Sequence, residues 1–130
     1  MSETMPLEYW QGVEQFNAGQ FYACHDTLEA LWIEATEPEK TFYQGILQIA
    51  VALYHMGNLN WRGAAILLGE GSNRLRRYPS IYGGIDVDEL LSQSAILLKA
   101  IQAIAVNPNN NDNLDENIAL PIPKIILTND

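Results

Sequence analysis

The stretch Glu39-Lys-Thr-Phe-Tyr-Gln-Gly-Ile-Leu-Gln-Ile-Ala-Val-Ala-Leu-Tyr-His-Met56 decides the fold of this 130-residue chain. From Ile46 to Tyr54 its side chains are apolar on nearly every side of a helix, apart from one line of polar residues. A helix that lacks a polar face is a buried one, and the segment is too long for a buried strand. It therefore predicts a central helix around which the others pack.

Apolar side chains recur with the period of a helix on both sides of this segment. The residue types that end or begin helices, namely glycine, proline and asparagine, separate the periodic stretches. Gly63, Gly69 and Gly71 lower the helix propensity of the fourth stretch, and we attribute them to close packing against another helix. We predict an all-α fold, an antiparallel bundle of about five helices, with boundaries near 7–16, 21–35, 39–56, 61–78 and 87–104.

The end of the chain predicts a different kind of structure. Residues 107–117 are rich in asparagine and predict a flexible linker. Beyond them, Pro121 and Pro123 force an extended backbone on an otherwise aliphatic arm, residues 118–130. We expect this arm to dock into a groove of its own bundle, or into a neighbouring subunit and so form a homo-oligomer. The bundle itself should occupy residues 1–106.

Charge and composition exclude several classes of function. The formal net charge of −9 argues against a nucleic-acid partner, since such affinity rests largely on the neutralisation of phosphates. We interpret the arginines at 62, 74, 76 and 77 as a solvated helix end rather than a phosphate site. A single cysteine excludes an internal disulfide framework. The acidic N-terminal stretch does not resemble a signal peptide, and no apolar run approaches the ~20 residues of a membrane span. We therefore expect a cytoplasmic protein without a membrane partner.

The most informative motif is His25-Asp-Thr-Leu-Glu-Ala-Leu-Trp32. His25, Glu29 and Trp32 are spaced i, i+4, i+7, so a helix places them on one face. Leu28 falls in the same stripe, which indicates that this face turns toward the core. Burying a titratable pair there costs free energy unless each group finds a partner.

The central helix carries one polar line that could supply such partners. Gln44, Gln48 and His55 follow one another along it at i, i+4 and i+11. If the second and third helices pack antiparallel, the two lines face each other and form a buried polar seam that can satisfy its own hydrogen bonds. The candidate ligand-binding residues are therefore His25, Glu29, Trp32, Gln44, Gln48, His55 and, just beyond the helix, Asn58.

Four short stretches make the chain resemble a known family: Phe16-Asn-Ala-Gly-Gln-Phe21, His25-x3-Glu29-x2-Trp32, Phe42-Tyr-Gln-Gly-Ile-Leu-Gln48 and Gly57-Asn58-x4-Gly63-Ala64. In this order, over about residues 7–78, they resemble the small all-helical family called domain of unknown function 309, or DUF309. The resemblance implies a compact helical bundle of unestablished biochemistry. Some members of the family bear the label predicted metal-dependent hydrolase because of their histidine–carboxylate motif. The resemblance implies the same possibility for this chain.

Three interpretations of the seam stay open. In the first, the seam fixes the register of the helices. In the second, it lines a groove that binds a small polar ligand or a protein segment. In the third, it holds a divalent metal through His25, Glu29 and His55. In the last case Asp26 is a poor general base, because it points about 100° away from His25 on a helix. We expect an uncharacterised ligand- or protein-binding module, with a metal-dependent hydrolase as the alternative.

Overall fold

The computed structural model describes residues 5–105 and 120–128. Within them it confirms the all-α prediction, and each helix packs mainly on the next one along the chain. The predicted linker and both ends of the predicted arm lie outside the described residues, so the limits of the three segments stay a prediction. The elements are α1 (Leu7–Asn17), α2 (Phe21–Glu34), α3 (Glu39–Gly57), α4 (Trp61–Leu75), β1 (Ile81–Tyr82), β2 (Ile85–Asp86) and α5 (Val87–Ala105).

Glycine, asparagine and aspartate residues lie at the ends of these helices, as their residue types predict. Gly19 takes the left-handed conformation after α1, with a φ of 79°. The side chain of Asn60 accepts a hydrogen bond from the Gly63 N–H at 3.0 Å and so caps α4. The Asp86 carboxylate accepts one from the Glu89 N–H at 2.9 Å at the start of α5.

The central helix α3 contacts α4 through its backbone. A Cβ added at Gly71 would lie 2.7 Å from the carbonyl oxygen of Gly45, and one added at Gly45 would lie 2.8 Å from the side chain of Leu75. Real side chains do not tolerate such distances, so only glycine permits this approach. The close packing that the glycines predict is therefore confirmed for Gly71, whereas a Cβ at Gly69 would meet nothing within 4 Å.

A small hairpin lies between the fourth and fifth helices, in a segment that the helical periodicity leaves without an assigned structure. Strands β1 and β2 pair antiparallel around Gly83 and Gly84, whose φ angles of 60° and 74° fit a two-residue turn of type I′. The turn also sits against aromatic rings, since a Cβ at Gly84 would lie 2.6 Å from the Trp10 ring. Glycine is thus required here both for its backbone angles and for its lack of a side chain.

Residues 120–128 form an extended segment, the docked arm, which lies on its own bundle. The side chain of Asn17 donates to the Ile125 carbonyl oxygen at 2.8 Å and accepts from the Ile125 N–H at 2.7 Å. On the other side Gln93 of α5 accepts from the Lys124 N–H at 2.9 Å. Ile125 and Pro123 are buried, so alternate residues of the arm face the core.

The docked arm also extends the hairpin. The Asp86 N–H donates to the Ile126 carbonyl oxygen at 2.8 Å, and the Thr128 N–H donates to the Gly84 carbonyl oxygen at 2.9 Å. These two bonds make the arm antiparallel to β2 and place Leu127 opposite Ile85. The hairpin thus helps to hold the arm in place.

Over the described ranges, none of the helices combines the length and the apolar character that crossing a bilayer requires.

Gly71→Ala should lower the free energy of unfolding by about 1–3 kcal/mol, because the added Cβ would press on the backbone of α3. Gly69→Ala is the matched control in the same helix. Its Cβ meets open space, so it should raise the free energy of unfolding by about 0.5–1 kcal/mol. Urea unfolding followed by circular dichroism measures both values. Equal effects of the two substitutions would contradict the backbone contact.

Asn17→Ala should lower the free energy of unfolding by about 1–3 kcal/mol, because it leaves the main chain of Ile125 without its two partners. Gln11→Ala, at an exposed position of the same helix, should change it by less than about 0.5 kcal/mol. Thermal unfolding of both variants gives the comparison. If Asn17→Ala unfolds like the parent chain, docking of the arm contributes no stability.

Candidate functional site

The rim of α2 carries the histidine and the glutamate of the sequence motif. Cys24 and Leu28 of this helix are fully buried, and His25 and Glu29 follow them by one residue, about 100° further round the helix. The side chain of His25 keeps 22% of its exposure and that of Glu29 keeps 45%. The prediction that this pair faces the core is therefore wrong, because the buried stripe lies one residue earlier.

Three side chains with metal-binding atoms meet at this rim, and we call them the His25 cluster: His25, Asp26 and Glu29. One ligand atom from each lies within 4.8 Å of the others. His25 Nδ1 is 3.3 Å from Asp26 Oδ1, and His25 Nε2 is 4.0 Å from Glu29 Oε2. The prediction that Asp26 points away is wrong, because helix geometry fixes only the direction of its Cβ and rotation about χ1 brings the carboxylate back.

A row of aromatic rings connects His25 to the end of α3. Tyr22 stacks on the His25 ring with centroids 5.9 Å apart, and Tyr54 of α3 lies 5.1 Å from Tyr22. The ring of His55 follows at 6.1 Å from Tyr54. Both tyrosines are exposed, by 58% and 41%. These four residues form what we call the ring row.

His55 lies at the far end of the ring row from the His25 cluster. Its Nδ1 is 3.5 Å from the amide nitrogen of Asn60, the residue that caps α4. In the ranges that the structure describes, His55 is not among the residues whose metal-binding atoms converge. Of the predicted metal ligands, the structure thus brings together only His25 and Glu29.

Asn58 is exposed at the C-cap of α3. Its main-chain N–H bonds to the carbonyl oxygens of Tyr54 and His55. The left-handed residue that follows is Leu59, with a φ of 62°, so the chain turns here without using Gly57 in that conformation. Asn58 thus lies beside the ring row but belongs to the turn.

Gln48 points toward α4 rather than α2. Its amide oxygen accepts from Arg74 Nη1 at 3.0 Å, and its amide nitrogen donates to Glu70 Oε1 at 3.3 Å. The reason is its position one turn after Gly45, where α3 crosses α4. Gln44 is half-buried one turn before Gln48. The predicted single buried seam is therefore wrong, because Gln48 lies on the α4 side of α3 whereas the His25 cluster lies at the rim of α2.

Trp32, the last residue of the motif, is half-buried at the end of α2. The Lys40 ammonium lies 4.5 Å from the centroid of its ring and donates to its carbonyl oxygen at 2.7 Å. Its indole nitrogen is buried and has no hydrogen-bond partner within the described ranges. The contact with Lys40 makes Trp32 part of the α2–α3 connection.

Cys24 adjoins His25 in sequence but takes no part in the cluster. Burial raises the pKa of its thiol to about 12, so the thiolate that a nucleophile requires is scarce at neutral pH. Cys24 is thus a small buried side chain of the core.

Comparison with known proteins agrees with the family resemblance that the four short stretches indicate. The model of the family described as domain of unknown function DUF309 matches residues 9–67, from α1 into α4. Over 65 residues the chain is 35% identical to the uncharacterized protein YpuF of Bacillus subtilis strain 168. This match covers 48% of the chain and 37% of YpuF, so the chain spans little more than a third of that relative. The family-model match, residues 9–67, includes the whole of α2 and α3, which carry the His25 cluster and the ring row. Over residues 9–67, the chain therefore resembles the DUF309 family.

Proposed function

We propose that this protein is a ligand-binding module and that its ligand is a divalent cation, which His25 and Glu29 would hold. The observation that supports the proposal most directly is that the two imidazole nitrogens of His25 face different carboxylates. Asp26 engages Nδ1 at 3.3 Å, whereas Nε2 faces Glu29 at 4.0 Å.

The contact with Asp26 favours one tautomer of His25. When Nδ1–H donates to a carboxylate, the lone pair is left on Nε2. Metal-binding histidines commonly donate their second N–H to a carboxylate in this way, which also orients the ring. Tyr22 stacks on the same ring and limits its rotation further.

The gap between Nε2 and Glu29 suits a bound ion. At 4.0 Å the two atoms are too far apart for a hydrogen bond. Two tetrahedral bonds of about 2.0–2.2 Å to one zinc ion place their donor atoms roughly 3.3–3.6 Å apart. A small rotation of the half-exposed Glu29 side chain would bring its oxygen to that distance from Nε2. The net charge of −9 favours cations near this surface.

A binding role fits these contacts better than metal-dependent hydrolysis, the alternative that the family resemblance implies. Hydrolysis by the predicted ligand set would also need His55, whose Nδ1 lies next to Asn60. It would need a general base as well, and the carboxylate of Asp26 is engaged by Nδ1. We therefore propose that the site binds a cation and does not catalyse hydrolysis.

Calorimetric titration of Zn²⁺ and Mn²⁺ into the chain, purified without an affinity tag, tests the site. We expect one ion per chain, and His25→Ala should lower the affinity at least about tenfold because it removes a ligand. His55→Ala, in the same ring row, is the matched control and should bind like the parent. Absence of binding to the parent, or equal losses in both variants, would contradict the proposal.

Asp26→Asn tests the orienting contact separately. The amide retains the shape of the carboxylate but loses its charge, so the affinity for zinc should fall about tenfold. The measurement is the same titration, with circular dichroism as the check of folding. An unchanged affinity would mean that Asp26 does not orient the ring.

A further inference from the structure

The docked arm leaves a cavity beside α1. Its volume is about 440 Å³, and it is lined by Trp10, Val13, Glu14, Asn17 and Leu127. None of these residues belongs to the His25 cluster or to the ring row. The cavity is therefore a separate feature of the surface, independent of the proposed cation site.

Asn17, one of the lining residues, pairs with main-chain groups at one edge of the docked arm. Its side-chain amide donates to the Ile125 carbonyl oxygen and accepts from the Ile125 N–H, at 2.8 and 2.7 Å. A residue of a neighbouring antiparallel strand makes the same two bonds in a hydrogen-bonded pair. Asn17 thus takes the place of one residue of an additional strand.

Two residues further along, the same edge of the arm is open. The Ile126 carbonyl and the Thr128 N–H point to the hairpin, where they bond to Asp86 and Gly84. Because successive residues of a strand alternate in direction, the N–H and carbonyl of Leu127 point to the opposite edge, on the side of the cavity. No residue in the described ranges hydrogen-bonds to either group, and Leu127 is 55% exposed.

We propose that the cavity binds a short extended peptide segment of a partner protein, one residue of which pairs with the main chain of Leu127. A peptide residue carries the donor and the acceptor that this pair of groups requires, and open strand edges are templates for such pairing. The rings and methyl groups of Trp10 and Val13 offer an apolar wall for one side chain. Glu14, the charged residue of the lining, favours a basic residue beside it. The Lys124 ammonium nearby already donates to the Asn17 carbonyl oxygen at 2.7 Å.

The test uses the full chain and the blocked peptide acetyl-Lys-Val-Lys-amide, followed by proton–nitrogen correlation spectra. We expect the amide signal of Leu127 and the indole signal of Trp10 to move together along one binding curve. The same peptide with an N-methylated valine lacks the donor for Leu127 and should bind about tenfold more weakly. Glu14→Gln should weaken binding of the basic peptide, whereas Glu8→Gln, exposed on the same helix, should not.

Three results would overturn the proposal. The first is that the Leu127 and Trp10 signals do not move at peptide concentrations of about 10 mM. The second is equal binding of the N-methylated peptide, which would show that the main-chain pairing does not form. The third is strong protection of the Leu127 amide from hydrogen exchange in the free chain, which would mean that another part of the chain already fills the cavity.

Discussion

The backbone contact between Gly45 of α3 and Gly71 of α4 is the constraint on which the rest of the structure depends. Because a Cβ at Gly71 would lie 2.7 Å from the Gly45 carbonyl oxygen, the two helices meet at a distance that no other residue allows. The central helix is then covered by α4 on one side and by α2 on the other. The outer helices α1 and α5 complete the bundle by packing on α2 and α4. This arrangement explains why α3 needs apolar side chains on nearly all of its surface.

The same crossing decides which polar groups can meet. Gln48 follows Gly45 by about one turn, so it lies on the α4 side of α3 and bonds to Arg74 and Glu70. The polar groups of α2 lie at a rim instead, where water can solvate the His25 cluster. A half-exposed site of this kind avoids most of the cost of burying charge. It also leaves the imidazole accessible from outside the bundle, which a binding role requires.

Periodicity and capping predict the helices well, because both depend on neighbours along the chain. The cap of Asn60 and the left-handed Gly19 are local in this sense. Whether the Gln48 side chain lies on the α2 side or the α4 side of α3 depends on how the helices pack. Helical spacing alone does not give that information. The contact of Asp26 with His25 depends on a side-chain torsion, which the helix does not fix. The hairpin could have been predicted from Gly83-Gly84, since two adjacent glycines favour a turn of type I′.

The helix α1 links the two candidate binding surfaces physically. On one side Gly12 packs so tightly against α2 that a Cβ there would lie 2.8 Å from the Leu28 side chain. On another side the same helix borders the cavity, and Asn17 at its end holds the arm. A densely packed contact cannot be compressed, so a displacement of α1 by the arm would also displace Leu28. Glu29 is the next residue of α2, and it contributes to the His25 cluster. Although the two surfaces share no residue, the packed interface of α1 and α2 therefore lies between them.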